Sequence, residues 1–89
     1  MDAAIAWTAL DQGRKVIAGL QSLPVVLRGT VEHDAWSLAL RHFEQAEDLF
    51  NLAALRFTPG ELDPWVDGAR ELRIQAGRRL NIIEREATA

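Results

Sequence analysis

The sequence predicts an all-α protein, an antiparallel up-down bundle of three helices that forms a single domain over residues 1–89. Three observations support this fold class. Apolar residues recur at helical spacing in three long segments, and two short stretches with proline and glycine separate those segments. Each segment also carries alanine or glycine at the centre of its apolar face. With 48% hydrophobic residues in 89, the chain has room for one core.

The first helix is expected over about residues 3–22, with Asp2 as its N-cap. Placed at 100° steps, its apolar residues fall within an arc of about 140°. Gly13 lies in the middle of that arc, where a glycine costs about 1 kcal/mol relative to alanine, so we expect another helix to approach closely there. Pro24 ends the helix, and a short helical turn is expected near residues 24–28.

The second helix is expected over about residues 31–57, after an N-cap at Thr30. Its apolar arc is nearly 200° wide, which predicts neighbours on two sides and a central place in the bundle. His42 lies in the middle of this arc. An imidazole there loses free energy unless it finds a hydrogen-bond partner, so we interpret His42 as a buried or half-buried polar residue bonded to a backbone carbonyl or a side chain of a neighbouring helix. A metal or haem ligand and an interface histidine are the alternatives.

The third helix is expected over about residues 64–86. Residues 58–61 have the Thr-x-x-Glu form of a capping box, and Asp63 followed by Pro64 offers a second helix start, which together predict a helical turn that kinks into the helix. The apolar stripe is narrow and its spacing is close to that of a coiled coil. Its members are Trp65, Ala69, Leu72, Ala76, Leu80, Ile83 and Ala87. We expect Trp36 and Trp65 to be core anchors.

Enzymatic chemistry finds no support in the sequence. The chain has no cysteine, and neither Ser22 nor Ser37 lies in a Gly-x-Ser-x-Gly turn. Its six glycines are dispersed and match no phosphate-binding loop. We therefore expect a protein that is not an enzyme and binds no cofactor.

The charge pattern argues against nucleic acid and membrane partners. The net charge is −3, and no segment has the basic surface that a phosphate backbone requires. No apolar run approaches the length of a membrane span, and the first residues lack the basic region of a signal peptide. We expect a cytoplasmic protein.

One side of the second helix is predicted to be acidic. Glu44 and Asp48 are one turn apart, which suggests a divalent cation as one interpretation, although the chain has no Glu-x-x-His pair and we expect no metal site. The other two interpretations are a solvated surface and a docking surface for a basic partner. The acidic face consists of Asp34, Glu44, Glu47 and Asp48.

Several apolar residues fall outside the predicted core of all three helices, some of them next to arginines. Tryptophan and arginine are enriched at the hot spots of protein interfaces, so this set predicts a partner-binding surface. The set consists of Trp7, Leu52, Leu55, Ile74, Arg78, Ile82 and Arg85.

We therefore expect a small helical protein that binds protein, as a homo-oligomer, in which two bundles combine into a larger one, or as an accessory or assembly subunit. One alternative is a ligand- or metal-binding bundle that uses His42 or the Glu44/Asp48 face. The other is an acidic, inhibitor-like module that occupies a basic site on a partner.

Overall fold

A computed structural model describes residues 3–88 of the chain as three α-helices and one short 3₁₀ turn. The helices are α1 (Ala4–Gln21), α2 (Val31–Ala54) and α3 (Asp63–Thr88), and the 3₁₀ turn is Val25–Leu27. The antiparallel three-helix bundle is confirmed, as is the helical turn between the first two helices. Asp2 lies outside the described residues. No helix within residues 3–88 is long and apolar enough to cross a lipid bilayer.

The central helix is α2, as the width of its apolar arc predicted. Both α1 and α3 pack along it, and no other pair of elements packs closely. Its buried face combines two large rings, Phe43 and Phe50, with alanines spaced seven residues apart. Seven residues make almost two helical turns, so these alanines form one row in which neighbouring backbones can come close. The row consists of Ala39, Ala46 and Ala53, all completely buried.

Gly13 marks a close approach between α1 and α2, as expected. A β-carbon placed on Gly13 would lie 2.5 Å from Cε1 and 2.8 Å from Cδ1 of Phe43. Carbon atoms in ordinary contact are about 3.5–4.0 Å apart, so only glycine fits beneath this ring. The ring is 2% exposed and so belongs to the core.

An aromatic cluster with one ring from each helix closes the end of the bundle where α1 and α3 begin. Trp7 packs edge-on against Phe50 at a centroid distance of 5.6 Å and against Trp65 at 5.4 Å, and Phe50 stacks on Trp65 at 6.2 Å. Edge-to-face aromatic pairs contribute about 0.5–1.5 kcal/mol beyond the area that they bury. The cluster ties α1 to α3 at this end.

The aromatic cluster corrects one expectation. Trp65, expected as a core anchor, is 41% exposed. Trp7, expected outside the core, is 37% exposed and also contacts the other two rings. The physical reason is that the spacing of residues on one helix does not show where a second helix crosses it. Other residues of the predicted apolar arcs also lie at the surface. They are Ile5, Leu23, Val31, Leu38 and Phe57.

The helix ends also differ in detail from the expectation. Thr30 precedes α2 but its side chain forms no cap, since its backbone is already helical (φ −69°, ψ −19°). The N–H of Glu32 instead donates to the carbonyl of Arg28, at 3.2 Å, because the preceding turn supplies acceptors. At its other end α2 stops at Ala54, where bonds to the third residue back replace the α-helical pattern.

Tight turns replace the capping box predicted before α3. The N–H of Glu61 donates to the carbonyl of Thr58 at 3.0 Å, and that of Asp63 to the carbonyl of Gly60 at 3.2 Å. Gly60 has a φ of 87°, which a residue with a side chain rarely adopts. The connection therefore turns sharply, and Leu62 is buried beneath it.

Replacing Gly13 by alanine is expected to destabilise the fold by about 1–2 kcal/mol, because overlap with Phe43 outweighs the better helix propensity of alanine. Gly19→Ala is the matched control in the same helix, since nothing lies within 4 Å of the added carbon. In that control, the free energy of unfolding should increase by up to about 1 kcal/mol. Urea unfolding followed by circular dichroism measures both variants, and equal effects would contradict the close approach.

Candidate functional site

The predicted partner-binding residues do not form one surface. Nε2 of His33 lies 3.4 Å from Oε1 of Glu84, so the start of α2 lies beside the end of α3, where Ile82 is found. Leu52 and Leu55 come about 20 residues later in α2, roughly 30 Å away at 1.5 Å per residue. The structure therefore places Ile82 at one end of the bundle and the two leucines at the other.

The exposure of these residues also varies. Leu55 is 82% exposed, Leu52 49% and Ile82 44%, whereas Ile74 is half-buried and Trp7 belongs to the aromatic cluster. The α3 members of the set fall within an arc of about 80° and so share one stripe of that helix. They are Ile74, Arg78, Ile82 and Arg85, and the two arginines are exposed.

A strongly exposed apolar segment lies where the sequence analysis selected no site. Residues 23–27, here called the tip segment, read Leu-Pro-Val-Val-Leu and connect α1 to α2. Val25, Val26 and Leu27 are 74%, 88% and 65% exposed. Five apolar residues in succession inside a connection were the available signal, because connections are normally polar. Only the structure shows that this segment projects outward and does not fold over the core.

Hydrogen bonds hold the tip segment in one conformation. The N–H of Leu27 donates to the carbonyl of Pro24 at 2.9 Å. The guanidinium of Arg28 donates to the carbonyls of Leu23, at 3.1 Å, and Gln21, at 3.3 Å. The apolar side chains therefore project from an ordered turn, and little conformational freedom is lost when they bind a partner.

A groove opens between α1 and α3 next to the tip segment, and we call it the α1–α3 groove. Trp36 of α2 lines it, with Ile17 and Ala18 on α1 and Leu72 on α3. Its volume is about 210 Å³, below the roughly 300 Å³ at which ligand pockets begin. Gln21, two residues before the tip segment, also lines it. The groove therefore has the size for a partner's side chains.

A second cleft, of about 530 Å³, lies between the start of α2 and the end of α3. Ile83 and Ala87 provide its apolar part, and His33, Asp34 and Glu84 its polar part. The polar groups lie close to one another, since His33 Nδ1 is 3.8 Å from Asp34 Oδ1 and its Nε2 is 3.4 Å from Glu84. The cleft is large enough for a small ligand.

The structure divides the predicted acidic face. The side chain of Glu47 is only 13% exposed, because this residue lies on the side of α2 that packs against α3. Its carboxylate accepts hydrogen bonds from Nε of Arg70, at 3.1 Å, and Nε of Arg73, at 2.5 Å. The remaining acidic residues lie further round the helix and are exposed. They are Asp34, Glu44 and Asp48.

The two arginines change the titration of Glu47. Burial raises the pKa of this carboxyl, but the hydrogen bonds and positive charges of Arg73 and Arg70 outweigh burial and hold the pKa below the ordinary value of 4.5. Glu47 therefore stays ionised at neutral pH and is neutralised locally by α3. It adds little to an acidic docking surface.

His42 is half-buried, which is within the expected range. A half-buried imidazole can form hydrogen bonds with water as well as with a neighbouring helix. Within residues 3–88, no buried side-chain nitrogen or oxygen lacks a hydrogen-bond partner. Nor does this part of the chain bring three or more histidine, aspartate or glutamate side chains together in a group that could hold a metal ion.

Comparison with known proteins gives no match to this chain among protein families, curated proteins or solved structures. The function is therefore argued from the surfaces described above.

Glu47→Gln is expected to cost about 1–2 kcal/mol at pH 7, because two charge-assisted hydrogen bonds are weakened. The pKa of Glu47 is lower in the folded chain than in the unfolded chain, so its ionised carboxylate stabilises the fold. This stabilisation is complete above pH 4.5 and is lost as the pH falls through the pKa of the folded state. The difference in the free energy of unfolding between wild type and variant, measured with urea, should therefore shrink from pH 5 to pH 2. Glu44→Gln, on the exposed side, should change stability by less than about 0.5 kcal/mol. A gap independent of pH would contradict this assignment.

Trp7→Ala is expected to destabilise the fold by about 2–4 kcal/mol, because it removes two ring contacts that join α1 to the other helices. Leu55→Ala, at a side chain 82% exposed, should stay within about 0.5 kcal/mol of wild type. Thermal unfolding of both variants at a low protein concentration checks this. An unchanged midpoint for Trp7→Ala would mean that the aromatic cluster does not stabilise the fold.

Proposed function

We propose that this chain works by binding protein, as a non-enzymatic accessory or assembly subunit that associates with itself in the cytoplasm. The observation that carries the proposal is the amount of apolar side chain left uncovered on ordered elements. Single exposed apolar residues are common and indicate nothing. A run such as Val25, Val26 and Leu27, each more than 60% exposed, is unusual because contiguous apolar surface favours association.

The composition of the exposed surface supports protein as the partner. Charged residues are depleted at the centre of protein interfaces, and the tip segment has none. Pro24 and the bonds from Arg28 hold its side chains ready for contact. Ile82, beside exposed arginines on α3, provides further apolar surface near that end of the bundle.

The two alternatives have less support. An acidic module that fills a basic site would rely on four carboxylates, of which Glu47 is already paired with two arginines. A ligand- or metal-binding bundle would use His42 or the Glu44/Asp48 face, and within residues 3–88 no three histidine, aspartate or glutamate side chains come together in a group that could hold a metal ion. Neither alternative explains the exposed tip segment.

The purified chain is expected to self-associate at high micromolar concentration, and sedimentation velocity with light scattering measures its mass. Contact between apolar surfaces should persist in about 0.5 M NaCl, where charge attraction beyond a few ångströms is screened. A strict monomer at every concentration would contradict the proposal. Binding to a basic partner that disappears with added salt would favour the acidic module instead.

A further inference from the structure

The protomer exposes more surface than a compact monomer of its size. Its accessible area is 5816 Å², whereas a chain of 9.9 kDa is expected to expose roughly 5200 Å². The excess of about 600 Å² approaches the roughly 800 Å² that each partner buries in a standard interface. The Cα radius of gyration, 14.6 Å, likewise exceeds the roughly 12 Å expected for this length. The protomer is therefore elongated, and its surface beyond that of a compact monomer is of the same order as one side of a standard interface.

The tip segment and the α1–α3 groove are complementary. The tip segment is a convex, uncharged turn whose Val26 is 88% exposed. The groove is concave, with a volume of about 210 Å³. Its apolar lining includes Trp36 and Leu72, and its polar lining consists of Arg14, Gln21 and Gln75. An apolar cavity of about 150 Å³ already holds a benzene-sized group, so this volume accepts one or two aliphatic side chains. No residue of the tip segment lines the groove of its own protomer.

From this complementarity we infer that the tip segment of one protomer seats in the α1–α3 groove of a second copy of the chain. The inference rests on the proposed function and names the partner and the surface. In a two-fold dimer each contact occurs twice, from tip to groove and from groove to tip. Gln21 lines the groove two residues before the tip segment, so the two features are adjacent and can share one interface.

Three single variants test the contact by sedimentation equilibrium. Val26→Asp places a charge on the tip segment, and Ala18→Arg places a long charged side chain on the exposed wall of the groove. Each is expected to raise the dissociation constant by about 100-fold or more, because a charge enters the centre of an apolar contact. Leu55→Asp is the matched control, since Leu55 is equally exposed but lies at the opposite end of the bundle. It should change the constant by less than about twofold.

Mixing the two disruptive variants tests the tip-to-groove pairing itself. A mixed dimer keeps one intact contact, the tip segment of Ala18→Arg in the groove of Val26→Asp, and its other contact pairs opposite charges. The mixture should therefore dimerise at least about tenfold more tightly than either variant alone. Circular dichroism of each variant confirms that it is folded.

The outcomes separate the inference from the proposed function. A dimeric wild type that Val26→Asp leaves intact, or that Leu55→Asp dissociates, overturns the inference and leaves self-association standing. Disruptive variants that fail to recover on mixing overturn the tip-to-groove pairing. A dimer that Val26→Asp dissociates but Ala18→Arg leaves intact also overturns it, because a tip-to-tip contact would behave in that way. A strictly monomeric wild type overturns both.

Discussion

The structure depends on one shared surface, the buried face of α2. Both neighbouring helices pack against it, and they hardly contact each other beyond the aromatic cluster. Alanine at seven-residue intervals lets each neighbour approach, and the ring of Phe43 fills the space that Gly13 leaves open. A bundle held by one central helix is flat, which agrees with its extents of 47 × 23 × 16 Å. The same arrangement leaves the α1–α3 groove uncovered.

The two seams along α2 are stabilised differently. The contact between α1 and α2 is apolar and closely packed, and Gly13 lies directly against the ring of Phe43. The α3 seam is flanked by ion pairs at both ends, Glu32 with Arg79 at one and Glu47 with two arginines at the other. Such half-exposed pairs contribute about 1 kcal/mol or less each. They nevertheless oppose sliding of α3 along α2, because a shift of one turn would separate every pair.

The sequence was informative about local structure and much less so about how helices meet. Pro24 and residues 58–60 marked the ends of helices because they disrupt helical geometry regardless of the surroundings. Gly13 indicated a close contact because glycine destabilises the interior of a helix, and a close approach of another helix compensates for this cost. The exposure of Trp65 and its contact with Trp7 could not be predicted, since both depend on the rotation of one helix against another. The pairing of Glu47 required the position of α3 along α2.

The candidate site shows the same limit. Apolar residues outside the predicted core correctly suggested surplus surface, and Leu52, Leu55 and Ile82 are exposed. Their separation along α2 and α3, however, appears only when the register of the two helices is known. The exposure of the tip segment could not be predicted, because an apolar connection can equally fold over the core. Val25, Val26 and Leu27 are 74%, 88% and 65% exposed, which the sequence pattern does not encode.

The most direct test of the central claim is an isotope-filtered NOE experiment on a mixture of labelled and unlabelled chain. Only contacts between different protomers give signals in that experiment. We predict intermolecular NOEs between the methyl groups of Val26 and the ring of Trp36, which weaken on dilution. Intermolecular NOEs confined to Leu55 and its surroundings, or none at millimolar concentration, would contradict the account.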